Sequence, residues 1–444
     1  MSILWLKELD KNQAKEVGSK AAYLADLFNN DFPVSNGFVI GCDAFKEFIN
    51  SHGLNSKIKI LLDEIDYSNL DSLTEISESV KKLILKEGIS PGLKADILEA
   101  YENLNVSSEL HNTEENVLNF IKSGRGNAIV AVRSSFVNDT PGAGETFLNI
   151  LGNNNLINSV KSCWASFYNV PNFLISKNKN ELHKNELFDN LGAAVLVQKM
   201  NDTKKSGIII SSNPMSRDNE MIIDAGFGLG QIITKGEVTP DTYIIDKNSK
   251  KVRMRIGVKT LKLIRDVNNN ETVRKKLFLD EQKKKVLEEW EIDEIIKLTE
   301  KIENFYNENF VIEFGFGKKL EIFHARPFKL PEIIEKDNLN GKILVEGTGG
   351  SPNINSGIAR SEVIVSDSAN SITISKIFSS KGLVVNYGSI GSSAALLCRQ
   401  LGIPFIIAEN STALLDNGLL VTLDGRTGKI YEGDARRTER ADIA

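Results

Sequence analysis

The sequence predicts an α/β protein of two or three domains that ends in a small α/β or β/β/α unit. Three observations carry that expectation. Short β-branched runs crowd the middle of the chain, at residues 128–133, 193–198, 207–210 and 221–224. Over residues 281–306, Leu287, Trp290, Ile295, Leu298, Ile302 and Phe305 recur at helical spacing among Glu and Lys, which predicts an amphipathic helix with this face on a sheet. After about Lys342 the grammar changes to a Gly- and Ser-rich segment with brief strands at 362–365, 382–386, 404–407 and 419–423 and one helix over 392–401.

At 444 residues the chain exceeds what one hydrophobic core organises. Apolar residues make up 41% and charged residues 25%, which excludes a disordered chain, a collagen-like repeat and a disulfide scaffold. With 54 Lys and Arg against 59 Asp and Glu the net charge is −5, so no global electrostatic case exists for nucleic acid or membrane surfaces. Cys42, Cys163 and Cys398 are three, odd in number and far apart, which argues against structural zinc or disulfides and suits a reducing compartment. The first ten residues lack a basic region followed by an apolar stretch, and no run approaches the ~18 apolar residues of a membrane span. A cytoplasmic location is expected.

From the N-terminus, Val17-Gly-Ser-Lys20 predicts a turn into a helix carrying Leu24 and Leu27 on one face, and Phe32-Pro-Val-Ser-Asn-Gly-Phe-Val-Ile40 a turn and a strand. Residues 56–123 carry helical periodicity. Residues 310–314 and 320–326 read as a hairpin around Gly315 to Gly317. No internal repeat is present. The expected organisation is a nucleotide-binding region over 1–328 in two subdomains, a linker over 329–346, a small domain over 347–433 and a loose tail over 434–444.

Phosphate chemistry needs cations, backbone N–H donors and oxygen ligands for a metal. Lys20 lies in a Gly/Ser turn at a predicted helix start, a favourable anion site, although a lone Lys there is more often a surface residue. Arg133 ends an apolar strand and leads through Ser134 and Ser135 into Thr140-Pro-Gly-Ala-Gly-Glu-Thr146, as a triphosphate clamp would; the plain alternative is an Arg tying the loop to a carboxylate. Glu313, His324 and Arg326 fall on paired strands, with 324 and 326 on one face.

The order of segments resembles the pyruvate phosphate dikinase and phosphoenolpyruvate synthase family over most of residues 10–433. The resemblance rests on Val17-Gly-Ser-Lys20, residues 32–40, Ala131-Val-Arg-Ser-Ser135, residues 140–149, Val197-Gln-Lys-Met200, Gly226-Phe-Gly-Leu-Gly230, Glu237-Val-Thr-Pro-Asp241, Ile312-Glu-Phe314, His324-Ala-Arg-Pro327, residues 388–404 and residues 421–433. It implies an ATP-grasp region followed by a swivelling domain that carries a phosphoryl group on a histidine. It implies that Lys20, Arg133 and Arg326 contact phosphates and do the catalytic work. Gly142 and Thr146 would lie in the covering loop, Gln198 near the adenine or ribose, and Glu313 and residue 324 on Mg²⁺.

Three departures from the family pattern qualify this. The phosphohistidine position holds Ser393, and the chain's histidines, His52, His111, His183 and His324, all lie outside residues 341–433. A phosphoserine ester is far more stable than a phosphohistidine, so Ser393 would be a poor carrier, and the small domain looks shortened between Ser366 and Lys381. Residue 324 is His where the family usually has Gln, and an imidazole suits Mn²⁺ or Zn²⁺ better than Mg²⁺. No dedicated acceptor domain is recognised. The expectation is an ATP-dependent phosphotransferase or ligase, with ATP and Mg²⁺ or Mn²⁺, acting directly on a small-molecule acceptor held by the chain or a partner protein. The alternatives are a degenerate nucleotide-binding regulator and an engineered His-to-Ser variant of a carrier enzyme.

Overall fold

The computed structural model describes residues 2–104, 127–137, 141–178, 192–216, 218–266, 268, 271–331, 339–369 and 371–436. The predicted helical stretch at 105–123, the linker at 332–338 and the tail at 437–444 lie outside the described residues. The chain divides into two compact units: residues 1–202 with 265–273 and 321–325, and residues 203–264 with 274–320 and 326–444.

The first unit is built on an antiparallel five-stranded sheet in the order Ile3–Trp5, Gly37–Ile40, Ala193–Lys199, Val130–Phe136, Thr146–Ile150. Val130–Phe136 is buried along its whole length because helices Ala14–Asn29 and Asn153–Ala165 pack against it. The predicted strand was expected to end at Arg133; it runs three residues further, so Arg133 sits mid-strand. Helices Cys42–Ser51, Leu54–Asp63, Leu70–Lys86 and Pro91–Asn103 close the core. Asn69 caps the third of these by accepting from Asp71 and Ser72 N–H, and Pro91 opens the fourth. Rings of Phe45 and Phe48 pack 5.8 and 5.0 Å from Trp164.

In the second unit an antiparallel sheet runs Phe310–Phe316, Lys205–Ile210, Glu220–Phe227, Asp241–Asp246, Val252–Arg255. Asp241, from the Glu237-Val-Thr-Pro-Asp241 motif, is buried with Lys259 as an ion pair. Its carboxylate also accepts from Gly257 N–H at 3.0 Å and Val286 N–H at 2.9 Å, so the enclosed charge is fully paired.

The predicted 281–306 helix is two helices, Leu279–Gln282 and Glu289–Tyr306. Asp241 and the Tyr243 hydroxyl hold Val286 and Leu287 N–H in the break, so the helical phase restarts at Glu289. Trp290 then falls roughly 140° round the helix from Ile295 and is 60% exposed. Phe305, in the last turn, is 47% exposed. Only Leu287, Ile295, Leu298 and Ile302 of the predicted six are buried. The predicted hairpin strands form over Phe310–Phe316 and Leu320–Pro327, but Gly315 belongs to a strand, paired with Ser206, and the turn moves to 317–319.

The end of the second unit carries two four-stranded sheets. One runs Ile343–Glu346, Lys429–Glu432, Leu420–Asp424, Ile354–Ile358, and the other Thr348–Ser351, Phe405–Ile407, Gly382–Val385, Val363–Ser366. Gly382–Val385 and Phe405–Ile407 are parallel, so the chain between them crosses over through helix Ser393–Leu401. Two boundary expectations are corrected. Residues 343–346 were expected in the linker but pair with residues 429–431. The tail was expected from residue 434, but Ala435 is buried, its N–H donating to Thr422 Oγ1 and its carbonyl accepting from Asn340 N–H. No helix among the described residues is long and apolar enough to cross a membrane.

Candidate functional site

In the first unit the strand Val130–Phe136 gathers the predicted residues. Helix Ala14–Asn29 is interrupted at Gly18, whose backbone (φ 76°, ψ 156°) leaves the helical region. A Cβ on Gly18 would lie 2.2 Å from the Ser135 carbonyl oxygen, so only glycine lets helix and strand meet there. Three contacts fix the segment after the break: Ser19 Oγ donates to Phe136 O at 3.1 Å, Lys20 Nζ to Ser134 O at 3.2 Å, and Ala21 N–H to Ser135 Oγ at 3.0 Å. Lys20 Nζ is therefore held at the carbonyl of the residue after Arg133 rather than waving from the surface.

Arg133 is 8% exposed. Its guanidinium donates to Phe323 O and lies 5.8 Å from the Phe323 ring. That partner is a backbone carbonyl. Thr146 is directly opposite Arg133 in the sheet, so it opens a strand instead of lying within the loop as expected. Gly142, exposed at φ +77°, is in the loop. Gln198 is buried opposite Ala131, and its Nε2 donates to Ser35 O at 3.2 Å. His324, also buried, follows the Phe323 that Arg133 holds. The segment 321–325 is fixed by Ile322 N–H donating to Pro33 O at 2.8 Å, and by Ser35 Oγ and Asn201 Nδ2 donating to the Glu321 carboxylate. Lys20, Arg133, Thr146, Gln198 and His324 thus belong to one framework in this unit.

Glu313, Arg326 and Ser393 belong to the second unit. Register places Glu313 opposite Ile208, Ile208 opposite Asp224, and Asp224 opposite Thr242. Directly opposed residues share a face, so these four form a row across the sheet. Asp224 is 1% exposed and accepts from Thr242 Oγ1 at 2.7 Å. Sequence reading passed over it, although a carboxylate inside the apolar run Met221-Ile-Ile-Asp224 was a signal. Ser393 opens helix Ser393–Leu401, and Ser392 caps it by accepting from Ala395 N–H at 3.3 Å. Arg399 on that helix donates to Gly350 O at 2.7 Å and Ile390 O at 2.9 Å. Burial pushes Arg399 down to about 9, and the Arg326 cation adds to the shift. An anion beside Arg326 would relieve that repulsion.

Glu313, half-buried, is a hard oxygen donor of the kind Mg²⁺ takes, and the buried imidazole of His324 suits a softer ion. Among the described residues no group of three or more His, Cys, Asp and Glu forms a metal cage. A metal on Glu313 would therefore need oxygens from its nucleotide, as Mg²⁺ commonly does.

Residues 14–340 match the family described as pyruvate phosphate dikinase, AMP/ATP-binding domain, and residues 358–428 match PEP-utilising enzyme, mobile domain. The chain belongs to the pyruvate phosphate dikinase and phosphoenolpyruvate synthase family. A probable phosphoenolpyruvate synthase of Archaeoglobus fulgidus is 32% identical over 99% of this chain and 59% of its own length. One from Methanothermobacter thermautotrophicus is 26% identical over 99% and 65%, and the phosphoenolpyruvate synthase of Pyrococcus furiosus 27% identical over 97% and 58%. The chain spans about three-fifths of the length of these curated relatives.

Proposed function

We propose that this member of the family is an ATP-dependent phosphotransferase that passes the γ-phosphoryl group of ATP to a small-molecule acceptor without a histidine carrier. The observation that supports the reading is the docking of Gly18 to Ala21 on Val130–Phe136, which holds Lys20 Nζ at the carbonyl of the residue after the buried Arg133. Two cations so placed neutralise phosphate charge, and phosphoryl transfer asks mostly for positioning and neutralisation. Gln198 would face the nucleoside. In the second unit Glu313 would hold Mg²⁺ or Mn²⁺, which would supply further charge neutralisation on the phosphates. The bond from the γ-phosphorus to the bridging oxygen breaks and one to an acceptor oxygen forms, leaving ADP. Serine at position 393 favours this reading over a carried phosphoryl group, because its phosphate ester is a poor donor.

Product analysis tests it. Pure protein with ATP and Mg²⁺ or Mn²⁺, with and without a metabolite mixture, should yield ADP only when an acceptor is present. Acceptor activity retained by a filter would mark a partner protein as its source. AMP with phosphate would overturn direct transfer. ATP bound without turnover would favour a regulatory nucleotide binder. Lys20→Ala and Arg133→Ala should each weaken ATP binding by roughly 10- to 100-fold, the worth of a charge-assisted hydrogen bond.

A further inference from the structure

The loop before helix Ser393–Leu401 rests on the row of residues that contains Glu313. Ser389 Oγ donates to Asp224 Oδ2 at 2.6 Å, and Gly391 N–H donates to the same oxygen at 3.3 Å and to Ser389 Oγ at 3.0 Å. Ser389 and Asp224 are each 1% exposed, so these bonds are shielded from water. Beside them, a Cβ on Gly391 would lie 2.7 Å from Ile208 Cγ2 and 2.9 Å from its Cβ. Gly391 is not among the residues of positive φ, so backbone geometry does not require glycine there. The nearest obstacle to a side chain is Ile208. Ile208 and Asp224 fall in the segment matching the AMP/ATP-binding domain, and Ser389 and Gly391 in the segment matching the mobile domain.

We propose that Ile208 and Asp224 form a docking socket that seats the mobile domain through Gly391 and Ser389, making Asp224 a positioning residue for the start of the Ser393 helix. The two parts of the socket do different work. Asp224 supplies a directional acceptor that fixes the loop in register. Ile208 supplies a flat apolar contact that excludes any side chain at 391. Arg399, donating to Ile390 O and Gly350 O, ties the same loop back to its own domain. The loop is therefore rigid when it meets the socket, and seating it also places Ser392 and Ser393. The cluster consists of neutral donors on one carboxylate and a glycine on an aliphatic side chain, with the Arg399 charge acting on Asp224.

The socket is readable without turnover, so its failure and failure of the phosphotransferase reading are separate results. Amide hydrogen exchange would be followed over residues 386–392 in the full chain, with thermal melting as a check on folding. Gly391→Ala should raise exchange there by at least about tenfold by wedging the loop off Ile208. Adding Ile208→Gly should restore protection, because the methyl group is accommodated only when the Ile208 Cβ is removed together with its Cγ2. Asp224→Asn, which turns an acceptor into a donor facing Gly391 N–H, should release the loop without a matching cavity effect. Should Gly391→Ala leave exchange unchanged, or should Ile208→Gly fail to rescue it while the double variant melts as the parent does, the socket is refuted. Loss of protection throughout the second unit in Gly391→Ala, with none regained in the double variant, would also refute it.

Discussion

Gly18 and Gly391 each let one piece of backbone press on another, and they do it by opposite means. Gly18 has φ 76° and ψ 156°, a region essentially reserved for glycine, and a Cβ there would strike a backbone carbonyl at 2.2 Å. Gly391 has ordinary backbone geometry, and a Cβ there would strike an aliphatic side chain. Backbone does not yield; a side chain can be trimmed or can turn. The first joint is therefore permanent, fixing Lys20 on the strand of Arg133. The second, as proposed above, is releasable. On the readings proposed above, Lys20 and Arg133 are set once, at folding, while the loop before Ser393 is set each time it seats.

The largest effect expected from this contrast is at Gly18. Gly18→Ala adds a disfavoured conformation and an overlap with Ser135 O, together at least ~3 kcal/mol. No single partner substitution should rescue it, because the obstacle is main chain. Chemical denaturation of Gly18→Ala, alone and with Ser135→Gly, reads this. Rescue by Ser135→Gly would show that the Ser135 side chain, not its carbonyl, is the barrier, and the two joints would then be alike.

A second effect separates the two helix starts that carry the site. After the break at Gly18, Ala21 N–H has no turn before it and is satisfied by Ser135 Oγ from the neighbouring strand. At the other joint, Ser392 caps its own helix from within by accepting from Ala395 N–H. Ser135→Ala leaves a buried donor unpaired and should cost about 1–3 kcal/mol, lowering ATP affinity as Lys20 loosens. Ser392→Ala should cost about 1 kcal/mol, the worth of a local cap. Equal effects on ATP affinity from the two would break the assignment of Lys20's position to the first joint.

These joints also mark what was legible in the sequence. The α/β class, the strands and the helix over 393–401 follow from β-branched runs and a Ser cap followed by an apolar face, which are local signals. Lys20 and Arg133 were visible as candidates, and the glycine before Lys20 marked a break. That Ser135 is what the break docks on was not visible, because 114 residues separate Ser135 from Ala21. Arg133 was placed at a strand end because Ser134 and Ser135 read as loop residues; both are buried strand residues satisfied by helix Ala14–Asn29 and by the chain after Gly142. Trp290 was grouped with Leu287, but the break imposed by Asp241 and Tyr243 separates the two, and Trp290 lies roughly 140° from Ile295 on its own helix. Asp224 was passed over because its donors at 389 and 391 lie 165 and 167 residues away. Tertiary partners decided each of these cases.

The smallest effect is one that the two joints should share. Cys163 lies in the helix whose carbonyl at 163 faces Ser134, and Cys398 in the helix that follows the socket loop; both, with Cys42, are buried. Burial pushes each of these thiols up to about 12 from 9.0. The folded chain thus keeps three protons that the unfolded chain releases above pH 9. Their contribution is fully present below pH 9 and is lost as pH rises towards 12. Arg399 opposes this: burial holds it at about 9 in the folded state, so unfolding takes up a proton in the same window. Three releases against one uptake leave a net fall in stability above pH 9. Denaturation midpoints between pH 8 and 11 check the sign, and a disulfide reagent at pH 8 should find no reactive thiol before unfolding. Gly391→Ala should not alter that thiol protection, since Cys398 is covered by its own domain's packing. A thiol that becomes reactive in Gly391→Ala at pH 8 would mean that releasing the loop also opens the mobile domain's core, and the second joint would then be as structural as the first.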